Sequence, residues 1–348
     1  MRITNSMMIA NTVRNINSSA RRLNEAQERI SSEKNISLPS DDPVIATRSI
    51  KYRNYVARIE QFQKNAEDAA SWQEVTEGAL DTLNDVITQV RTLTVKAAGG
   101  TLTDSDLTDI KTEIAELRDQ AIEIMNTAYG DRYVFAGFNT AEPPYALEST
   151  TVGDTAAFKG GWLSLCGVVP SSVADADISA CYAAEAANSY TTASAHSIKY
   201  NIGFDNEVTV NIEGQDVVGE GAGNLFDTFA KLLLALDGET SYKTYDAGSG
   251  MVTTAAIDGI DDLLDDLDVN REKITTIQAT LGARMNYVNS VAERLGNDYT
   301  TYTTLMSQNE DVDISTATME EATAQTVYQA SLSVGAKAIT KTLVDYMA

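Results

Sequence analysis

One histidine, two cysteines, a glycine-rich run and a set of paired acids are the residues whose types could do chemistry. His196 is the single histidine of the chain, and imidazole is the usual general base near neutral pH. No Cys, Ser or carboxylate constellation surrounds it in sequence, so it reads as a loop residue. Cys166 and Cys181 have neither CxxC spacing nor companion ligands for zinc; a disulfide and two free thiols both stay open. Gly219-Glu220-Gly221-Ala222-Gly223 faintly resembles a phosphate-cradling turn, but it departs from GxGxxG, lacks a βαβ context, and Glu220 would repel a phosphate. It reads as a glycine linker. Asp261-Asp262 and Asp265-Asp266 fall opposite Leu264 and Leu267, as on a solvated helix face, and no EF-hand pattern goes with them. No catalytic, cofactor-binding or metal site is expected, and the chain does not read as an enzyme.

The elements that hold these residues are far more informative. From Ile257 to Met306, steps of three and four run through Ile260, Leu264, Leu267, Arg271, Ile274, Gln278, Leu281, Met285, Val288, Ala292, Leu295, Tyr299, Tyr302 and Met306, a heptad seam without proline. Such a helix would be roughly 75 Å long at 1.5 Å per residue, so it needs an equally long partner. A second helix, opened by the Ser40–Asp42 caps and Pro43 and stopped by Gly99-Gly100, supplies it. Its later part carries Leu80, Leu83, Ile87, Val90, Thr94 and Ala97. Thr103 and Asp106 form an acidic capping box for a third helix with Leu107, Ile110, Ile114, Leu117, Ala121, Ile124 and Ala128 in step.

At the two ends the seams are narrower. Residues 5–34 place Ile9, Val13, Ile16, Ala20, Leu23, Gln27 and Ile30 on one stripe. A polar break at Ser307–Asp313 precedes a last helix from about Thr316 to Tyr346. It carries Tyr328, Leu332, Gly335, Ile339, Thr342 and Tyr346 on one stripe and Val327, Val334 and Ala338 on a second beside it. Burial of about eight apolar side chains on the first arm does not offset the backbone entropy of ordering roughly 30 residues. The arms are therefore expected to be completed by other subunits, with Ile9, Val13, Ile16, Leu23, Ile30, Val327, Tyr328, Leu332, Val334, Ile339 and Tyr346 as packing residues.

Between these helical halves the pattern changes. Tyr133–Phe138 reads as a β-type run, and from about Tyr145 to Gly250 Ser, Thr, Ala and Gly dominate. Ile198–Ile202 and Val208–Ile212 alternate around an Asp205-Asn206 turn, a hairpin, and Phe226, Phe229, Leu233 and Leu236 mark a helix near 225–236. The expected fold is mainly α: a long antiparallel coiled-coil or helical-bundle rod built from both chain ends, with a small inserted α+β domain. Residues 1–42 and 312–348 would be terminal arms, 43–145 and 255–311 the rod, and 146–254 the insert. The net charge of −24 is concentrated between Glu148 and Asp268, with roughly 20 acids against 4 lysines, which gives no electrostatic case for nucleic acid or anionic lipid. There is no membrane-spanning run and no ordinary signal peptide at the N-terminus.

Glu28-Arg-Ile-Ser-Ser-Glu-Lys-Asn-Ile-Ser-Leu-Pro-Ser-Asp-Asp-Pro43 resembles the segment shared by bacterial flagellins and their junction relatives, with Glu33 where that family usually has glycine. Gln61-Phe-Gln-Lys-Asn-Ala66 and Glu77-Gly-Ala-Leu80 match it too. Tyr129-Gly-Asp-Arg-Tyr-Val-Phe-Ala-Gly-Phe-Asn-Thr140 with Pro143-Pro-Tyr145 looks like the junction version, not filament flagellin. The resemblance implies a structural subunit outside the cell, at the hook–filament junction of a flagellum, exported unfolded by the flagellar type III apparatus. It implies hook-associated protein 1 and flagellin as neighbours, other copies in a ring, and an export chaperone on the C-terminal arm. A flagellin-type filament subunit is the alternative within that class. A helical signalling or scaffold module with long acidic heptads is the alternative outside it, and an enzyme acting through the insert is more remote.

Overall fold

The computed structural model describes residues 5–36, 38–40, 42–100, 102–150, 152–163, 167–185, 196–219, 221, 223–246, 249, 251–257 and 259–338. Cys166, Ile339, Thr342 and Tyr346 lie outside them. Among the described residues there are eight helices: α1 (Asn5–Ser32), α2 (Pro43–Ala98), α3 (Asp104–Met125), α4 (Asp175–Glu185), α5 (Gly214–Val218), α6 (Leu225–Leu236), α7 (Gly259–Glu310) and α8 (Ile314–Ala338). The molecule is mainly α, with long helices from both chain ends and a strand-rich insert. It divides into two compact units, Met1–Gln61 with Leu295–Ala348, and Phe62–Arg294.

In the first unit α1 packs along α8. The start of α2 runs antiparallel to the end of α7: Arg53 meets Glu310, and farther along Glu60 meets the Tyr299 hydroxyl at 3.3 Å. Tyr55 stacks on Tyr302 with centroids 5.3 Å apart. Each helix start has a local cause. The Asp42 carboxylate accepts from the Val44 and Ile45 amides at 2.9 and 3.0 Å, freeing Pro43 to sit in the first turn without a donor to satisfy. Asp313 does the same for α8, accepting from the Ser315 amide at 2.9 Å, so α8 begins two residues before the expected Thr316. The polar stretch Ser307–Glu310 stays helical, although its seam has ended. The Asn309 amide group donates to the Ile45 carbonyl and the Ser49 hydroxyl, and Glu310 binds Arg53.

In the second unit the long helices bury Leu80, Leu83, Ile87 and Val90 of α2, Ile110, Ile114 and Leu117 of α3, and Leu267, Ile274, Leu281 and Val288 of α7. The expected capping box opens α3, with Thr103 and Asp106 bonded reciprocally. The α7 stripe differs in detail: Leu263, Asn270 and Val291 are buried, Leu264 and Met285 are half-buried, and Arg271 is exposed. The reason lies across the helix. Asn270 reaches the Thr228 hydroxyl at 3.3 Å, so α6 covers a face that a two-helix seam would leave in water.

The insert contains more sheet than its composition suggests. Strands β1 (Ala128–Tyr129) and β2 (Arg132–Tyr133) form a short ribbon, and β3 (Tyr145–Thr150), β4 (Gly153–Phe158) and β5 (Gly161–Trp162) a meander. Then β6 (Val169–Pro170) pairs with β9 (Ser241–Asp246), which pairs with β10 (Met251–Ala256). Between them, β7 (Lys199–Gly203) and β8 (Asn206–Thr209) make the expected hairpin, with Asp205 in the left-handed region at φ 63°. Val152, Ala157, Val169 and Ile178 form a small core with Tyr182, Tyr245 and the free Cys181 thiol packed against it.

Tyr133–Phe138 departs from its β-type reading: only Tyr133 is in a strand. Val134, Phe135 and Ala136 are nevertheless fully buried, because the segment is an anchor for other elements. The Gly214 amide donates to the Phe135 carbonyl at 2.9 Å, and Ala136 bridges Glu213. The Asn126 side chain closes the segment by bonding both the amide and the carbonyl of Tyr145 at 2.9 Å.

Candidate assembly surface

His196, the residue with most chemical potential, is part of that anchor. Its Nδ1 lies 2.9 Å from Oε1 of the buried Glu213, and its backbone carbonyl accepts from Asn211 at 2.8 Å. The pair ties the start of the β7 hairpin to its end. This is a structural role, and the surface that stands out lies in the first unit.

The two arms face each other through small groups. Ser19 and Ser331 hydroxyls are 3.2 Å apart, and Arg29 reaches Glu320 at 3.5 Å. Ala26 and Ala317 are buried. Gly335 lies so close to Ile16 that a Cβ there would displace the end of the Ile16 side chain. Of the expected packing residues, Ile9, Ile16, Leu23, Ile30 and Tyr328 are half-buried. Val13, Val327, Leu332 and Val334 are exposed, at 47%, 45%, 43% and 63% of their surface. The single chain thus spends one side of each arm on its own pairing and leaves the other side in water.

Among the described residues, exposed large apolar side chains concentrate in this unit: 13 of 20, although it holds about a third of the chain. Met7, Met8, Ile50, Ile314 and Met319 join the arm residues just named. A groove of about 440 Å³ runs between α1 and α8, floored by Ala26 and Ala324 and walled by Arg22, Met319, Thr323 and Val327. An apolar floor with a charged edge is what an amphipathic helix from another chain would fill.

At the root of the arms lies a cluster that local pattern does not reveal. The last turn of α7 contains no basic residue, yet it carries Glu310, whose side chain is 3% exposed. A buried carboxylate at the negative end of a helix requires cations from elsewhere. Arg53 of α2 supplies a two-pronged pair, Nε to Oε1 at 2.8 Å and Nη2 to Oε2 at 2.5 Å. Lys34, in the α1–α2 connection, lies 3.5 Å from Glu310 and 2.6 Å from Asp311. Backbone bonds stitch the same place: the Asn35 amide donates to the Glu310 carbonyl at 2.7 Å and the Val312 amide to the Glu33 carbonyl at 3.0 Å. Burial pushes the Glu310 carboxyl up, but the bonds from Arg53 and Ser49 and the Lys34 charge outweigh it and hold it below the usual range. The one sequence signal for this cluster is the run of acids Glu310, Asp311 and Asp313 at a helix C-terminus, where acids are disfavoured.

Residues 3–140 match the model of the bacterial flagellin N-terminal helical region, and residues 264–347 match that of the bacterial flagellin C-terminal helical region. Together they take in both arms and well over half of the chain. The chain belongs to the bacterial flagellin family. Within the family it is 26% identical to flagellar hook-associated protein 3 of Escherichia coli K12, over 95% of this chain and 96% of that protein. A flagellin from Shigella flexneri is 28% identical over 71% of this chain but only 44% of its own length. The crystal structure of the flagellar junction protein FlgL from Legionella pneumophila shares the fold, with a TM-score of 0.52 at 16% identity over 76% of this chain and all of that one. The flagellin-family likeness therefore lies in the terminal helices that carry the exposed apolar side chains, and the hook-associated relative matches from end to end.

Proposed function

We propose that this chain is the structural subunit that joins hook to filament in a bacterial flagellum, and that the joint is made by its paired terminal helices. The observation that carries this reading is the half-used arm pair: α1 and α8 satisfy each other on one side, while Val13, Met319, Val327, Leu332 and Val334 face water on the other. An exposed apolar surface of that kind marks an interaction site, buried on association. The end-to-end match with hook-associated protein 3, against a match to less than half of a flagellin, supports a junction role over a filament role.

In this reading the arms at 1–42 and 312–348 form the inner wall, the helices of 43–145 and 255–311 a rod, and residues 146–254 an outward projection. Copies of the chain close a ring, with hook-associated protein 1 on the hook side and flagellin on the filament side. The C-terminal arm is covered by an export chaperone before assembly, and the protein works outside the cell after export. No reaction is catalysed; the work is geometric. Immunogold labelling of isolated flagella tests this directly. A single band of label at the hook's distal end is expected, and label along the whole filament would favour the flagellin reading.

A further inference from the structure

We propose that the pair of long helices in the second unit has a built-in bending point, at the level where Gly78 of α2 and Gly282 of α7 lie across from each other. Arg91 of α2 pairs with Asp268 of α7 at 2.8 Å. Counting thirteen residues from this ion pair, back along α2 and onward along α7, reaches Gly78 and Leu281. The two glycines therefore stand within about one residue, roughly 1.5 Å, of one level in the antiparallel pair. Glycine inside a helix weakens it, because its backbone has more freedom to lose. Gly137, Gly214 and Gly335 each have a close neighbour that accounts for them. Gly78 and Gly282 have none: a Cβ on either would meet nothing within 4 Å, and neither has a left-handed backbone.

The core beside Gly78 is weakened as well. The innermost residues of α2 in this unit step by three and four through Ala66, Ala69, Gln73, Thr76, Leu80, Leu83, Ile87 and Val90, all fully buried. The last four are large aliphatic side chains, and the first four are small or polar. Gln73 fits worst. Neither its amide nitrogen nor its carbonyl oxygen has a hydrogen-bond partner among the described residues, and the indole nitrogen of the buried Trp72 next to it has none either. Such groups destabilise a closed core, and a bend that admits water lets them regain hydrogen bonds. The same opening exposes little apolar area where the seam is alanine and threonine. A glycine in one helix alone would be splinted by an unbroken partner. Two at one level, next to a polar stretch of core, let both helices bend together, and small residues such as glycine are where helices kink without proline.

Only the use of the bend, letting one copy fit between neighbours of two kinds, rests on the assembly role proposed above. The bending itself is read from the isolated full chain, so the two fail separately. Spin labels are introduced in a Cys166→Ser, Cys181→Ser background at pairs of exposed positions, and their spacing is measured by double electron–electron resonance. Asp68 with Thr92 straddles Gly78, Arg271 with Glu293 straddles Gly282, and Asp81 with Lys96 lies wholly to one side as the reference. Both straddling pairs are expected to give distance distributions about twofold broader than the reference. Gly78→Ala combined with Gly282→Ala adds side chains for which there is space, so the fold is kept. It is expected to narrow both straddling distributions to the reference width and leave the reference pair unchanged. Amide protection against hydrogen exchange around positions 78 and 282 should rise about fivefold, the gain alanine gives over glycine in a helix. Straddling distributions as narrow as the reference in the wild-type chain, or widths unmoved by the double substitution, would overturn the proposal.

Discussion

Gly335 of α8 lies so close to Ile16 of α1 that a Cβ built on it would stand 2.8 Å from Ile16 Cδ1 and 3.3 Å from Thr12 Cγ2. Glycine inside a helix is otherwise a poor choice, costing about 1 kcal/mol against alanine, so here close approach of the two arms is what it provides. Gly335→Ala is expected to be tolerated within about 1 kcal/mol, because the end of the Ile16 side chain can rotate aside while helix propensity improves. Gly335→Phe is expected to pry the arms apart. Amide exchange across α1 and α8 should rise while exchange in the second unit stays unchanged, and adding Ile16→Ala should restore part of the protection.

The exposed side of the arms gives the opposite signature. Leu332→Asp and Val327→Asp replace side chains already in contact with water, so the melting temperature of the isolated protein should move little, within about 0.5 kcal/mol of stability each. Incorporation into flagella should be lost, because a buried unpaired carboxylate in an interface is costly. A variant that assembles normally would show that this face is not the joint.

Gly137 is held at φ 63°, and a Cβ there would fall 2.7 Å from Oε1 of Glu213. Gly137→Ala combines a left-handed backbone with displacement of the carboxylate that binds His196, and should destabilise the second unit by roughly 2–4 kcal/mol. Denaturant unfolding of the full chain measures it. Glu213→Gln, made alongside, separates the backbone cost from the loss of the carboxylate.

Tyr145 is buried, and its hydroxyl has no hydrogen-bond partner among the described residues. Burial, and then the charges of Asp216 and Glu213, push its ionisation well above 10. A group whose pKa is raised on folding supports the fold below its unfolded pKa and loses that support as pH rises through the folded value. The native chain keeps the proton while the unfolded chain releases it, so stability should fall above about pH 10 with a slope of at most about 1.4 kcal/mol per pH unit from this residue. Tyr145→Phe should be neutral or slightly stabilising at pH 7 and should remove that part of the alkaline slope. Equal slopes in the two proteins would show that Tyr145 ionises freely in the folded state.

Much of this architecture is written locally. The capping box at Thr103, the Asp42–Pro43 start of α2, the Asp205 turn and α6 each depend on a few neighbouring residues, and each stands where those residues put it. The sheets β3–β5 and β6–β9–β10 were not legible. Ala-Leu-Glu-Ser-Thr and Thr-Thr-Ala-Ala carry weak alternation, and β6 finds its partner about 70 residues away. The buried set of α7 shifted because Asn270 answers to α6, a tertiary neighbour that heptad spacing does not encode. The arm stripes were visible as apolar patterns, but their division into a paired side and an exposed side depends on which face the partner arm occupies. The Glu310 cluster was hidden for the same reason, since its cations come from residues 34 and 53.

The most direct test of the proposed role is electron microscopy of cells from which this protein has been deleted. Bare hooks with no filaments, with flagellin shed into the medium and filaments restored by the wild-type chain but not by Leu332→Asp, are expected. Filaments of normal length on hooks lacking the protein would contradict the junction role outright.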